Sequence, residues 1–141
     1  MNVYVDSSVL LRVVLGESHR LKAWGRIEQA VSSELIRLEC LRTIDRARVR
    51  LGLSDEQVAG RREAVIEALE GFSLVPVASA VLERAADPFP TTLGSLDAIH
   101  LATALLVRGR FEELSVATHD EELALAARAV GFRVEGAPEG A

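Results

Sequence analysis

Apolar and polar positions change period several times along the chain, and each change marks an element. Val3 and Val5 alternate with Asn2 and Tyr4, which predicts a strand over Asn2 to Asp6, and the run from Ser7 to about Leu15 has helical spacing and stops at Gly16. Leu21, Trp24 and Ile27 predict a second helix over Ser18 to Gln29; Ala30 to Ser33 reads as a short strand or turn, and a long helix then reaches about Leu51. Gly52-Leu-Ser-Asp breaks it, with Ser54 or Asp55 capping a further helix from Glu56 to Leu69, so the two helices form a hairpin. Phe72 to Val77 reads as a strand cut short by Pro76, Ser79 to Ala86 as a short helix and Asp87 to Thr92 as a loop. Ser95 to Arg108 is a strongly apolar helix, Leu114 to Thr118 a strand, Glu121 to Val130 a helix and Phe132 to Glu135 a last strand.

Strands that alternate with helices predict an α/β fold: a parallel sheet covered on both faces, with short right-handed crossovers. A chain of 141 residues supports one hydrophobic core, so one domain is expected over residues 1–135, followed by a frayed tail from Gly136 to Ala141. Only 4% of residues are aromatic, which leaves Leu, Val, Ile and Ala to fill the core. The longest uncharged apolar runs, such as Leu101 to Val107, are too short to span a bilayer, and the chain opens on a strand rather than a signal peptide. Cys40 is the sole cysteine, which rules out an internal disulfide and fits a reducing, cytoplasmic setting.

The acids carry the candidate chemistry. Parallel sheets present functional groups beyond the carboxyl ends of their strands. Asp6 closes the first strand, and Asp120 follows Leu-Ser-Val-Ala-Thr by one residue. Asp97 lies in the first turn of the helix that begins near Ser95. Glu39 sits one turn inside the long helix, where at roughly 100° per residue it points between Leu35 and Ile36. Taken singly, each Asp reads as a helix cap. Glu39 does not, and capping leaves unexplained why acids recur along one sheet edge, where like charges repel unless a cation bridges them.

Carboxylates, hydroxyls and water suit Mg²⁺, with Mn²⁺ as a substitute. Zinc is disfavoured: His19, His100 and His119 lack paired spacing and Cys40 has no cysteine partner. His100, one turn after Asp97, is expected in the core or behind the ligands, and His119 in a loop beside Asp120. Ser8 and Thr118 each lie two residues from an acid, placed to hydrogen-bond a carboxylate or to serve as local turn hydroxyls. A cation held this way orients a water, lowers its pKa and stabilises charge on a phosphate during in-line displacement.

Val-Tyr-Val-Asp-Ser-Ser, Ser-Ser-Glu-Leu-Ile-Arg-Leu-Glu, Leu-Asp-Ala-Ile-His-Leu-Ala-Thr-Ala and Ala-Thr-His-Asp-Glu-Glu-Leu together resemble a PIN domain. Their order and spacing, and the length of the chain, are similar to VapC-type toxins of bacterial toxin–antitoxin pairs, from about residue 2 to residue 135. The resemblance implies an α/β/α sandwich with a protruding helical hairpin and a Mg²⁺-dependent endoribonuclease. Its acids map onto Asp6, Glu39, Asp97 and Asp120, with Ser8 and Thr118 as polar support. It further implies a homodimer, an RNA substrate and a small cognate antitoxin. Glu34 lies five residues from Glu39, about 140° around the helix, so only one of them faces the site; Glu39 is the expected one.

A net charge of −5 argues against wholesale binding of a polyanion, so local charge must decide. All sixteen basic residues except Lys22 are arginine, and Arg42, Arg46 and Arg50 continue the stripe that Glu39 begins. That stripe reads as a track for the RNA backbone or as a solvated, salt-bridged face. Two other classes stay open: a nuclease of the same fold acting on precursor RNA or branched DNA, and a catalytically silent binding module whose acids merely cap helices.

Overall fold

A computed structural model of the chain describes residues 1–137. Five parallel strands, β1 (Asn2–Val5), β2 (Gln29–Ser33), β3 (Phe72–Val75), β4 (Ser115–Ala117) and β5 (Val134–Glu135), form one sheet in the order β3-β2-β1-β4-β5. Six helices connect them: α1 (Ser7–Val14), α2 (Leu35–Leu51), α3 (Asp55–Glu70), α4 (Ser79–Ala86), α5 (Ser95–Val107) and α6 (Glu121–Ala129). The α/β expectation holds. Among the described residues no helix is long and apolar enough to cross a membrane.

Strand alternation sorts the core into two layers. Val3 and Val5 face α1, α2 and α3, packing with Leu10, Ile36, Ile44 and Val65. Tyr4 and Val31 face the other way, against Leu101, Leu123 and Ala126 of α5 and α6. The result is an α/β/α sandwich in which β1, with Val3, Tyr4 and Val5 all buried, is the central strand. From β1 the chain builds outward to β2 on one side and β4 on the other. This is the reversal of strand order at which open parallel sheets leave a crevice.

The helical hairpin is present as α2 and α3, with Val49 and Leu51 exposed near its tip. Gly52 ends α2 in the left-handed conformation (φ 62°), where its amide reaches the Arg48 carbonyl. Ser54, rather than Asp55, caps α3: its hydroxyl accepts from the Gln57 amide, and the Gln57 side chain accepts from the Ser54 amide. Ser54→Ala is therefore expected to lower stability by ~1 kcal/mol, read as an earlier midpoint in urea unfolding with an unchanged slope.

One predicted helix is absent. Residues 18–29 form turns with a single 3₁₀ turn at Trp24–Arg26, and Gln29 belongs to β2, paired with Asn2. The apolar positions Leu21, Trp24 and Ile27 recur every three residues, which drifts about 120° around an α-helix over two steps and so defines no single face. Gly25 weakens the segment further, and Leu21 and Ala23 are buried two residues apart, as in irregular chain pinned by side chains. Trp24 and Ile27 are partly buried and pack on the core, Trp24 against Phe72.

The expected frayed tail begins too early. The Gly136 carbonyl accepts from His119 Nδ1 at 2.9 Å, and the Ala137 carbonyl from Arg128 at 3.2 Å. Gly136 has φ +94°, and an added Cβ would meet the Thr118 carbonyl at 3.0 Å, so a glycine is needed there. The rest of the expected tail, 138–141, lies outside the described residues.

Candidate active site

Because every strand is parallel, the carboxyl ends of β1, β2 and β4 share one edge, and each hands over to its next segment there. Asp6 follows β1 and precedes α1. Its amide donates to the Ala117 carbonyl at 3.0 Å, which fixes it against the end of β4, and its side chain is almost fully buried. The carboxylate makes no cap hydrogen bond to α1. Instead Oδ2 accepts from Ser8 Oγ and Thr118 Oγ1, each at 2.8 Å. These hydroxyls are themselves held: Ser8 Oγ accepts from the His119 amide and Thr118 Oγ1 from the Asp120 amide, both at 3.0 Å. The two residues thus bind a carboxylate and the turn after β4 at once, which combines both sequence expectations for them.

Glu39 projects from the second turn of α2, where its neighbours Ile36 and Cys40 are fully buried, and its side chain keeps 16% exposure. Glu34 precedes α2 in an exposed position, and no ion pair or hydrogen bond from its side chain occurs among the described residues. Glu39 is therefore the acid of this helix that reaches the site. Oε1 lies 2.5 Å from His100 Nε2, which is also 3.8 Å from Asp6 Oδ1. One donor atom from each of Asp6, Glu39 and His100 falls within 4.8 Å of the other two.

His100 is buried, on the face of α5 one turn after Asp97, and its Nδ1 sits 2.7 Å from the Tyr4 hydroxyl. That hydroxyl also accepts from the Ser33 amide at 3.1 Å. A carboxylate only accepts, so Nε2 carries a hydrogen and donates to Glu39, and its lone pair is closed to a metal. Burial opposes a charge on His100. The Glu39 hydrogen bond and the charges of Glu39, Asp6 and Asp97 outweigh it, and the pKa lies above 6.5. Tyr4 was not singled out from sequence. Its signal was there: Tyr4 and Asp6 share strand parity, as Asp97 and His100 share a helix face.

Asp97 and Asp120 stand outside the tightest group. Asp97 makes no hydrogen bond among the described residues. Its carboxyl is pushed up from 3.8 to about 6, first by burial and then by the charges of Asp120, Asp6 and Glu39, with His100 opposing. Asp97 therefore senses the other three acids electrostatically even where it does not touch them. Asp120 is exposed and does cap α6, its Oδ1 accepting from the Leu123 amide at 2.9 Å, so its cap reading is correct for that oxygen.

The chemistry of the donor set fits a hard divalent cation. Asp6 Oδ1, Glu39 Oε2, Asp97 and Asp120 Oδ2 accept no hydrogen bond among the described residues, and no Lys or Arg pairs with any of the four acids. Cys40 is no soft alternative: burial first, then the charges of Glu39 and Asp6, push its thiol up to about 12.

Comparisons with known proteins agree with this architecture. Over 137 aligned residues the chain is 32% identical to Ribonuclease VapC47 of Mycobacterium tuberculosis (strain CDC 1551 / Oshkosh), covering 92% of this chain and 93% of that protein. Ribonuclease VapC46 of Mycobacterium tuberculosis (strain ATCC 25618 / H37Rv) is 33% identical over 136 residues, covering 94% and 95%. Among solved structures, VapBC2 from Rickettsia felis bound to a DNA fragment from their promoter superposes with a TM-score of 0.64 at 9% identity, covering 96% of this chain and 99% of that one. A toxin–antitoxin complex from Klebsiella pneumoniae gives 0.60 at 19% identity, covering 92% and 94%. At these identities the solved structures speak for the fold alone. The sequence profile of the PIN domain matches residues 3–129, from β1 to the end of α6, and with its acids gathered at the β1–β4 crevice the chain belongs to the PIN-domain family.

Proposed function

We propose that the chain is a Mg²⁺-dependent endoribonuclease that acts as the toxin of a toxin–antitoxin pair. The observation that carries this reading is the gathering of Asp6 and Glu39 within 4.8 Å at the β1–β4 crevice, with Asp97 in electrostatic contact and, among the described residues, no ion pair from an arginine or lysine to these acids. The relatives named Ribonuclease VapC47 and VapC46 support RNA as the substrate, and a fold shared with toxin–antitoxin complexes supports a small antitoxin as partner. A homodimer is part of the same reading.

Asp6, Glu39, Asp97 and Asp120 are the proposed catalytic and metal-holding residues. Asp6, Glu39, Asp97 and Asp120 would hold a Mg²⁺ ion, or Mn²⁺ in its place, which would supply positive charge to the phosphate and lower the pKa of a bound water. Ser8 and Thr118 fix the Asp6 carboxylate by its Oδ2, leaving Oδ1 turned to the crevice. His100, backed by Tyr4, holds Glu39 in place without touching substrate. On the exposed side of α2, Arg42, Arg46 and Arg50 are proposed to receive the RNA backbone, although Arg42 is paired with Asp45 at 2.9 Å and Arg46 donates to Thr43.

The test is cleavage of a pool of structured RNAs by purified, antitoxin-free protein, with Mg²⁺, with Mn²⁺ and with EDTA. Cutting that requires the metal is the expected result. No cutting with either ion, together with no metal binding by calorimetry, would overturn the enzyme and leave a binding module. Within this assay His100→Leu is expected to raise the Mg²⁺ concentration needed for half-maximal cutting by ~10–100-fold, the usual range for losing a group that orients a metal ligand. His100→Gln, which keeps an N–H donor, is expected to recover part of that loss.

A further inference from the structure

A cavity of about 960 Å³ lies beside the acidic crevice rather than in it. Its walls are the end of α1, the turns of residues 18–26 and the segment His119, Glu135 and Gly136. Arg12, Arg20, Lys22 and Arg26 all line it, a concentration of cations in a protein of net charge −5. Glu135 is the only carboxylate in the lining among the described residues. Arg12 is partly engaged, 3.9 Å from Glu17, but Arg20, Lys22 and Arg26 are exposed and form no ion pair among the described residues.

Unpaired cations around one groove make a local positive potential that attracts an anion. Two features say which anion. The groove borders the crevice: its wall residue His119 lies between Thr118 and Asp120, and the His119 amide donates to Ser8, whose hydroxyl donates to Asp6. Trp24, the only tryptophan of the chain, is half-buried in the same wall and offers an aromatic surface. Charge for phosphates and an aromatic ring for unpaired bases together suit a single strand of nucleic acid. The missing helix also acquires a meaning: irregular chain over residues 18–29 turns Arg20, Lys22 and Arg26 onto one concave surface, whereas an α-helix would point Arg20 and Lys22 alone about 160° apart.

We infer that this groove binds the phosphates of a single-stranded stretch of the RNA substrate flanking the bond to be cut, and so aligns that bond with Asp6. The inference rests on the nuclease reading above, and it makes Arg20, Lys22 and Arg26 a second electrostatic hold beside the α2 stripe. In that stripe Arg42 is already neutralised by Asp45.

Trp24 makes the groove its own reporter. Titrating a short single-stranded RNA into the protein in EDTA, so that no cleavage intervenes, is expected to quench tryptophan fluorescence and to yield an affinity that falls steeply with salt. Arg20→Ala plus Lys22→Ala should weaken binding roughly tenfold and flatten the plot of log affinity against log salt by ~0.7 for each phosphate contact removed. In Mg²⁺ the same variant should raise KM for cutting and leave kcat near the wild-type value. Arg110→Ala, at an exposed arginine outside both the groove and the α2 stripe, serves as the control and should change neither. Unchanged affinity and salt slope in the groove variant, with its melting curve intact, would overturn the groove while leaving the nuclease standing. RNA that neither binds nor is cut by the wild-type protein would overturn both.

Discussion

Asp6→Asn is expected to reduce RNA cleavage by ~10³-fold or more, at least the scale on which one preorganised polar group is lost from a reaction centre, while the protein stays folded. Asparagine keeps a carbonyl oxygen where Oδ2 now accepts from Ser8 and Thr118, so the two 2.8 Å contacts and the turn they hold survive. What changes is Oδ1, the oxygen 3.8 Å from His100 Nε2 that accepts no hydrogen bond and carries charge toward Glu39. An amide there neither repels the other acids nor attracts a cation. The variant should therefore melt no lower than the wild type and bind RNA at least as well, because a negative charge beside the phosphate path is gone. Cleavage at the wild-type rate and with the same Mg²⁺ dependence would remove Asp6 from the site. Loss of cleavage together with loss of the circular dichroism signal would assign it a structural role instead.

Period and punctuation made most of the fold legible because most elements obey local rules. β1 alternates, α2 stops at a glycine in the left-handed region, and α3 starts with a serine whose partner three residues on completes the capping box. The stretch Ser18 to Gln29 failed because its three-residue apolar repeat is compatible with a poor helix. Tertiary contacts decided against that helix: Leu21 and Ala23 are pulled into the core and Gln29 into the sheet. For the site, the acids were visible as single positions, but their convergence depends on strand order. Only with β1 between β2 and β4 do Asp6, the start of α2 and the turn at Thr118 meet. Tyr4 stayed hidden for the same reason, as did the contact by which His100, expected in the core or behind the ligands, reaches Glu39, since the chain Tyr4–His100–Glu39 links three elements that lie far apart in sequence.

The cationic groove was hidden by averaging. A net charge of −5 reports the sum, while the structure segregates the charges, with acids in the crevice and unpaired basic residues beside it. Asp97→Asn tests the acidic half of that segregation, and it is expected to stabilise the metal-free protein while abolishing cleavage. In the unfolded chain Asp97 titrates at its ordinary 3.8; in the folded protein, burial and then the charges of Asp120, Asp6 and Glu39 move it to about 6. Below 3.8 the group is protonated in both states and folding is unopposed. As pH rises toward about 6 the unfolded chain releases its proton first, so the folded state loses stability across that window and does not regain it above.

Asparagine cannot ionise, so the variant should melt with the wild type near about pH 4 and above it near about pH 7.5, the sign expected for a raised folded pKa. Asp97 is only partly buried, and solvent screening reduces the expected gain to ~1 kcal/mol. Adding Mg²⁺ should reverse the order. The wild type gains stability from a ligand that binds only its folded state, and the variant, short of one carboxylate, gains less. Differential scanning calorimetry at the two pH values, with EDTA and with Mg²⁺, measures all four states. Equal melting temperatures at the higher pH in EDTA would show that Asp97 carries no unfavourable charge. An equal Mg²⁺ shift in both proteins would place the cation away from this acid.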